Sequence, residues 1–151
     1  MKDENCVFCR IFEGVEEGWI VYEDKDLVVF LDKYPLSYGH LLIAPRDHYK
    51  DVVETPPDIV ARIFIVARGF GHASVRYLGA TGFRIITNKG SSAGQVIFHF
   101  HVHVIPRYGF GSPGSIQPRE ILKEETARRI VEAYRRALED ENIRNMIIGR
   151  I

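Results

Sequence analysis

The residues best suited to chemistry are concentrated in one run, His99-Phe100-His101-Val102-His103-Val104-Ile105, with Pro106 directly after it. Histidine alternates with an apolar residue at period two. In an extended strand the three imidazoles therefore share one face, while Phe100, Val102 and Val104 share the other. An imidazole titrates near neutral pH and serves as nucleophile, general base, phosphate ligand or metal ligand. One ion cannot take all three: at about 3.3 Å of rise per residue, His99 and His103 stand roughly 13 Å apart, against a metal–nitrogen bond of about 2 Å. The run therefore divides its labour, one end open to metal and the remainder to catalysis.

Two further groups carry reactive character. The two cysteines lie close together in Cys6-Val7-Phe8-Cys9. A disulfide across so tight a loop is a poor staple. A redox pair of the thioredoxin kind normally follows a strand, whereas only five residues precede Cys6. A zinc knuckle needs two more ligands, which the histidines can supply; two plain thiols on a short helix is the competing reading. Ahead of the histidine run lies Asn88-Lys89-Gly90-Ser91-Ser92-Ala93-Gly94-Gln95. Such a glycine- and serine-rich loop can turn several backbone N–H groups toward one point and cradle an anion. Beside three histidines, phosphate is the expected occupant.

These groups need a scaffold. Residues 5–13 read as a short helix with Phe8, Ile11 and Phe12 on one side. Two β-rich runs, 19–22 and 27–31, flank the turn residues Glu23-Asp24-Lys25-Asp26 and predict a hairpin. After a loop at 32–39, residues 40–44 form a third strand closed by Pro45, with His40 as a strand-start residue of no assigned role. Thr55-Pro56-Pro57-Asp58 opens a helix with Thr55 as cap and Ile59, Ile63, Val66 and Phe70 as its apolar stripe, running to about Leu78-Gly79. His72 on this helix reads as a packing or surface residue.

Residues 83–87 form a fourth strand and the histidine run a fifth. Residues 109–115 have flexible-loop composition. A second long helix is expected over 118–140, with Ile121, Ile130, Ala133, Tyr134 and Ala137 buried. The apolar tail, 143–151, is suited to packing as a strand or to docking on a partner subunit. Strands outweigh βαβ alternation, so the fold class is α+β: an antiparallel sheet with helices on one side.

The 151 residues, 46% hydrophobic and 26% charged, suit one domain over 1–151, with its core in 5–108 and a C-terminal helix and tail in 109–151. Formal net charge is zero with the signs mixed, so no basic stripe argues for nucleic acid. No apolar run reaches the roughly 20 residues that cross a bilayer. The start, Met1-Lys2-Asp3-Glu4-Asn5, lacks the apolar core of a secretion signal, and the expected location is the cytoplasm.

The histidine run closely resembles the histidine-triad family of nucleotide hydrolases, in its bacterial and archaeal zinc-containing branch. The likeness extends over Val29-Phe30-Leu31-Asp32, over residues 39–48 and over the loop 88–95, and spans about two thirds of the chain, from Cys6 through Arg107. It implies a HIT-like fold: a five-stranded antiparallel sheet with two main helices, continued across a homodimer. It implies cleavage at the α-phosphate of nucleoside phosphoramidates or dinucleoside polyphosphates, releasing AMP or GMP. His101 matches the nucleophile that becomes nucleotidylated, His103 the phosphate contact beside it, and Asn88 a polar support for both.

Asp32 matches the carboxylate that holds the ribose hydroxyls, with Phe8 and Phe30 lining the base pocket and the base between them. Gly94, Gln95 and the backbone of Val96 match the phosphate loop. Cys6, Cys9, His48 and His99 match a structural zinc site. Two positions depart from sister branches. Val96 stands where the phosphoramidase branch carries a hydroxyl, which favours polyphosphate over amine leaving groups. His103 stands where the sugar-1-phosphate nucleotidyltransferases carry glutamine. A phosphorylase, in which inorganic phosphate resolves the intermediate, and a non-catalytic nucleotide-binding dimer are the rival functions.

Overall fold

The computed structural model describes residues 2–109 and 118–148. The expected flexible loop, beyond Gly109, and the last three residues of the tail lie outside them. Strands β1 (Ile20–Glu23) and β2 (Leu27–Leu31) form the expected hairpin. Asp24 closes its turn, Oδ1 accepting the N–H groups of Asp26 at 2.8 Å and Leu27 at 3.1 Å. Strands β3 (Leu41–Pro45), β4 (Gly82–Ile86) and β5 (Val102–Arg107) complete one sheet of order β1-β2-β3-β5-β4, every neighbouring pair antiparallel.

Side-chain alternation sorts the two faces of this sheet. Leu27, Val29, Leu31, Leu41, Ile43, Val102 and Val104 point to the main core. Helices α2 (Pro57–Tyr77) and α3 (Glu124–Ala137) cover that face, and α4 (Glu141–Ile148) packs on α2. Val28, Phe30, Leu42 and Ala44 point the other way, against Phe8 and Cys9 of the short helix α1 (Val7–Phe12) and its capping residue Cys6. Both faces of β2 and β3 are thus buried, and helices lie on both sides of the sheet rather than on one.

The stripe expected on α2 is present, with Ile63, Val66 and Phe70 buried. Two mid-helix glycines, each costing about 1 kcal/mol against alanine, stay because neighbours fill the space. A Cβ at Gly69 would stand 2.6 Å from Ile147 Cγ1, and one at Gly71 would enter the Phe83 ring. No helix among the described residues is long and apolar enough to cross a membrane.

Four local expectations are corrected. The histidine strand begins at Val102, not His99, because the preceding backbone turns away and the Phe100 N–H pairs with the Tyr49 carbonyl at 2.6 Å. Thr55 does not cap α2; its hydroxyl donates to the Asp51 carbonyl at 2.8 Å, and Pro56 occupies the cap position. The long C-terminal helix starts at Glu124 rather than Pro118, leaving Ile121 59% exposed. Residues 118–123 form a strap instead, the N–H groups of Arg119 and Leu122 donating to the carbonyls of Pro35 (2.9 Å) and Lys33 (2.8 Å). As far as Ile148 the tail belongs to the helix α4, not to a strand, and its Ile143 and Ile147 are buried against α2.

Candidate functional site

Period two carries through to the residues just beyond the strands. Asp32 follows β2, His40 precedes β3, and His101 precedes β5, which itself holds His103. All four gather on the face opposite the main core. The three histidines expected on one face do share it, although only His103 lies within a regular strand.

Hydrogen bonds set which nitrogen of each ring carries the proton. His101 Nδ1 lies 2.7 Å from the His99 carbonyl. A carbonyl only accepts, so Nδ1 is the N–H and Nε2 keeps the lone pair. The Thr87 hydroxyl, donating to the His101 carbonyl at 2.7 Å, holds the backbone beneath it. Burial pushes the His101 pKa below its ordinary 6.5, and the bond to the His99 carbonyl opposes that shift. The ring is therefore neutral at pH 7 and suited to nucleophilic attack.

His103 is set by a chain of two bonds. The Leu36 N–H donates to His40 Nδ1 at 2.9 Å, and His40 Nε2 lies 2.9 Å from His103 Nδ1. With Nδ1 accepting, neutral His40 carries its proton on Nε2 and donates it to His103. Neutral His103 is then protonated on Nε2, a donor suited to a phosphate oxygen. Burial lowers His40 to about 3 and His103 to about 4, and neighbouring histidines and Arg119 push in the same direction.

His40 is the functional residue that sequence reasoning missed. It is 1% exposed, and its signal was present in the two-residue spacing to Leu42 and Ala44, which puts it on the imidazole face.

Asp32 Oδ1 accepts the Tyr34 N–H at 2.8 Å, while Oδ2 stands 3.5 Å from His40 Nε2. Burial raises its carboxyl pKa, against the pull of the Tyr34 N–H and the Arg119 charge. Asp32, His40 and His103 are close enough together to hold an ion. The Leu36 N–H on His40 Nδ1 argues against it, because the proton then occupies the nitrogen that would face the metal. Arg119 also stands here, Nη1 3.2 Å from the Tyr34 carbonyl and 3.9 Å from Asp32 Oδ2. Nothing in its local sequence pattern points to that position.

The second cluster comprises Cys6, Cys9, His48 and His99. His99 Nε2 lies 2.8 Å from the Pro45 carbonyl, so its proton is there and its Nδ1 lone pair faces the thiols. Cys6 Sγ and Cys9 Sγ lie 3.4 and 3.6 Å from His99 Nδ1, and Cys9 Sγ lies 3.6 Å from His48 Nδ1. A tetrahedral ion with bonds near 2.3 Å to sulfur and 2.0 Å to nitrogen separates those atoms by about 3.5 Å, so the donor set fits. The Cys9 N–H points at Cys6 Sγ from 3.5 Å, and Asp3 Oδ2 stands 4.0 Å from His48 Nε2. Burial pushes the Cys6 thiol up to about 11. A thiolate here therefore calls for a bound cation.

The loop between β4 and β5 makes a 3-10 turn at Ser91–Ala93, bounded by Gly90 and Gly94 at φ +91° and +98°. A side chain on Gly94 would be strained by that φ and would begin 3.4 Å from Asn88 Nδ2. The Gln95 side chain turns inward: Oε1 accepts the Gly90 N–H at 2.8 Å, and Nε2 donates to the carbonyls of Lys50 (2.9 Å) and Ile97 (3.1 Å). Gln95 thus braces the loop through its side chain. Val96 is 79% exposed.

One expected arrangement is corrected. The rings of Phe8 and Phe30 meet edge-on with centroids 5.1 Å apart, whereas a base between them needs roughly twice the ~3.5 Å contact distance. A base does not fit between these rings, which are 6% and 2% exposed.

The HIT domain profile matches residues 13–110. Among solved structures, a hypothetical histidine triad nucleotide-binding protein from Sulfolobus tokodaii superposes with a TM-score of 0.83 at 37% identity, covering 95% of this chain and 97% of that one. A zinc-bound histidine triad family protein from Mycobacterium smegmatis gives a TM-score of 0.76 at 33% identity, covering 90% and 97%. The adenylylsulfatase HINT3 of Arabidopsis thaliana is 37% identical over 137 residues, 89% of this chain and 70% of the relative.

Proposed function

The chain belongs to the HIT domain family, and from that premise we propose that it is a nucleotide hydrolase acting at the α-phosphate of dinucleoside polyphosphates or nucleoside phosphoramidates. The observation that carries the proposal is the fixed tautomer of His101, whose Nδ1 is committed to the His99 carbonyl at 2.7 Å. His101 Nε2 attacks the α-phosphorus. The bond to the leaving group breaks and its electron pair departs with that group, leaving a nucleotidyl-histidine. Water then attacks the same phosphorus, frees His101 and releases a nucleoside monophosphate such as AMP or GMP.

The other residues follow from their places. The His103 N–H and the backbone amide of Val96 meet the charge on the phosphate oxygens, with Asn88 and Gly94 beside them, while the amides of Gly94 and Gln95 hold the loop by donating to the Ser91 and Gly90 carbonyls. Asp32 takes the ribose hydroxyls, and the base lies against Phe8 and Phe30. The adenylylsulfatase among the relatives supports chemistry at an adenylyl phosphorus. Zinc on Cys6, Cys9, His48 and His99 would be structural, since four protein ligands leave no open position. The zinc-bound relative supports that choice of ion. Strand β4 ends the sheet with a half-exposed edge, which supports a homodimer that continues the sheet.

The test is monophosphate release from diadenosine tetraphosphate and adenosine 5′-phosphoramidate, with His101→Ala as control. Turnover of either substrate that falls by about 10³-fold or more in the variant is expected. No turnover of either by the wild-type protein, or activity that survives the substitution, would end the hydrolase reading.

A further inference from the structure

His40 reaches His103 through one bond of 2.9 Å, Nε2 to Nδ1, so its effect depends on where the backbone holds its ring. The residue before it is Gly39, a glycine at φ +90° with little intrinsic preference of its own. Left alone, the Gly39–His40 peptide would turn and carry the ring away. The fold removes that freedom. The Tyr134 hydroxyl donates to the Gly39 carbonyl at 2.6 Å, and the His40 N–H donates to the Ser37 carbonyl at 3.2 Å. These two bonds hold opposite ends of one planar peptide unit. One peptide earlier, the Tyr108 hydroxyl donates to the Tyr38 carbonyl at 2.7 Å. One peptide later, the His40 carbonyl accepts the Asp32 N–H at 3.1 Å.

Tyr134 is fully buried on α3, a helix that lies wholly beyond residue 110, where the HIT domain match ends. Its ring packs in the main core, 5.8 Å from that of Phe70, a place that a phenylalanine ring would fill equally. The hydroxyl is the part that needs a reason, because a buried polar group is costly unless paired. Its partner is the carbonyl next to His40. Gly39 is fitted to it in turn: a Cβ there would stand 3.1 Å from the Tyr134 hydroxyl oxygen and 2.5 Å from Leu78 Cδ2. Burial pushes both phenols above their ordinary 10, so each keeps its proton and remains a donor.

We propose that the hydroxyls of Tyr134 and Tyr108 are positioning groups for the phosphate donor His103, acting through the backbone of Gly39 and His40. This role rests on the hydrolase reading above and extends its machinery to the C-terminal helix. With the clamp in place, His40 Nε2–H meets His103 Nδ1 and leaves the His103 proton on Nε2. Without it, the Gly39–His40 peptide turns and His40 leaves hydrogen-bond distance. His103 then samples the Nδ1–H tautomer, which presents a lone pair to phosphate instead of a proton.

The experiment uses the full chain carrying Tyr134→Phe or Tyr108→Phe, each of which removes one oxygen and keeps the ring, alone and combined with His40→Leu. Turnover of diadenosine tetraphosphate is measured well below each melting temperature, and the imidazole tautomers are read from ¹H–¹⁵N spectra. Tyr134→Phe is expected to lower kcat about tenfold, the scale of one hydrogen bond, with KM changed by less than about twofold. Its His103 should show both tautomers. Tyr108→Phe acts one peptide further away and should do the same to a smaller extent. With His40→Leu in place, neither substitution should lower kcat further. Losses that add in the double variants, or a lower melting temperature with His103 held as the Nε2–H tautomer, would overturn the inference. If Tyr134→Phe does not fold, the Tyr108→Phe cycle decides by the same criteria. Wild-type protein that turns over nothing would sink the hydrolase reading, and the His103 tautomer in the variants would still decide this one.

Discussion

At one end of the imidazole face, His99 gives its Nε2 proton to the Pro45 carbonyl and turns Nδ1 toward two thiols; at the other, His101 gives its Nδ1 proton to the His99 carbonyl and keeps the Nε2 lone pair for an incoming group. His99 is buried and His101 half-buried, both are neutral, and both are anchored by a main-chain oxygen. They differ in which nitrogen the backbone claims, and under the proposed function that choice separates a ligand from a nucleophile. His103 is the third case, since its Nδ1 faces His40 and its remaining nitrogen becomes a donor. Residue type supplies the chemistry at each position, and the main chain around it assigns the role.

If the two ends are separate, damage to one should leave the other standing. His101→Ala is expected to abolish turnover, by about 10³-fold or more, with the melting temperature unchanged. Cys9→Ser is expected to lower the melting temperature by roughly 10 °C, the consequence of losing several kcal/mol of metal-coupled stability, and to release the zinc measured by elemental analysis. A Cys9→Ser protein that retains its melting temperature would remove the structural ion from the account.

The next effect probes the chain through His40. His40→Leu is expected to lower kcat by about 10- to 100-fold, less than deleting an oxyanion donor outright. His40→Gln offers both an acceptor for Leu36 and a donor for His103, and should recover part of the loss. A merely structural His40 would show no such rescue.

The smallest effect is on stability. His40 titrates at about 3 in the folded protein, against 6.5 for the unfolded chain. Between those values the unfolded state binds a proton that the folded state does not. The His40 contribution is therefore complete above pH 6.5 and is lost as pH falls, by up to about 1.4 kcal/mol per pH unit. His40→Gln should flatten the fall in unfolding free energy between pH 6.5 and 5, measured by denaturant titration. An identical slope in both proteins would count against a neutral, buried His40.

What the sequence made legible follows from the range of the forces involved. The hairpin at Asp24, the five extended runs and the stripe of α2 are local patterns, and all appear in the structure. The four metal-cluster residues, dispersed from Cys6 to His99, do come together. The long-range backbone bonds were not legible. A pattern of side chains could not show that the Tyr49 carbonyl takes the Phe100 N–H and delays β5, or that Pro35 and Lys33 hold residues 118–123 out of a helix. Arg119 depends on that strap and was hidden with it. His40 was within reach, because its spacing to Leu42 already placed it on the imidazole face.

The division of nitrogens is tested most directly by long-range ¹H–¹⁵N correlation spectra of the imidazoles at pH 7. The account predicts His101 as the Nδ1–H tautomer and His40, His99 and His103 as Nε2–H tautomers. A His101 ring protonated on Nε2 would leave no lone pair for attack and would contradict the account at its centre.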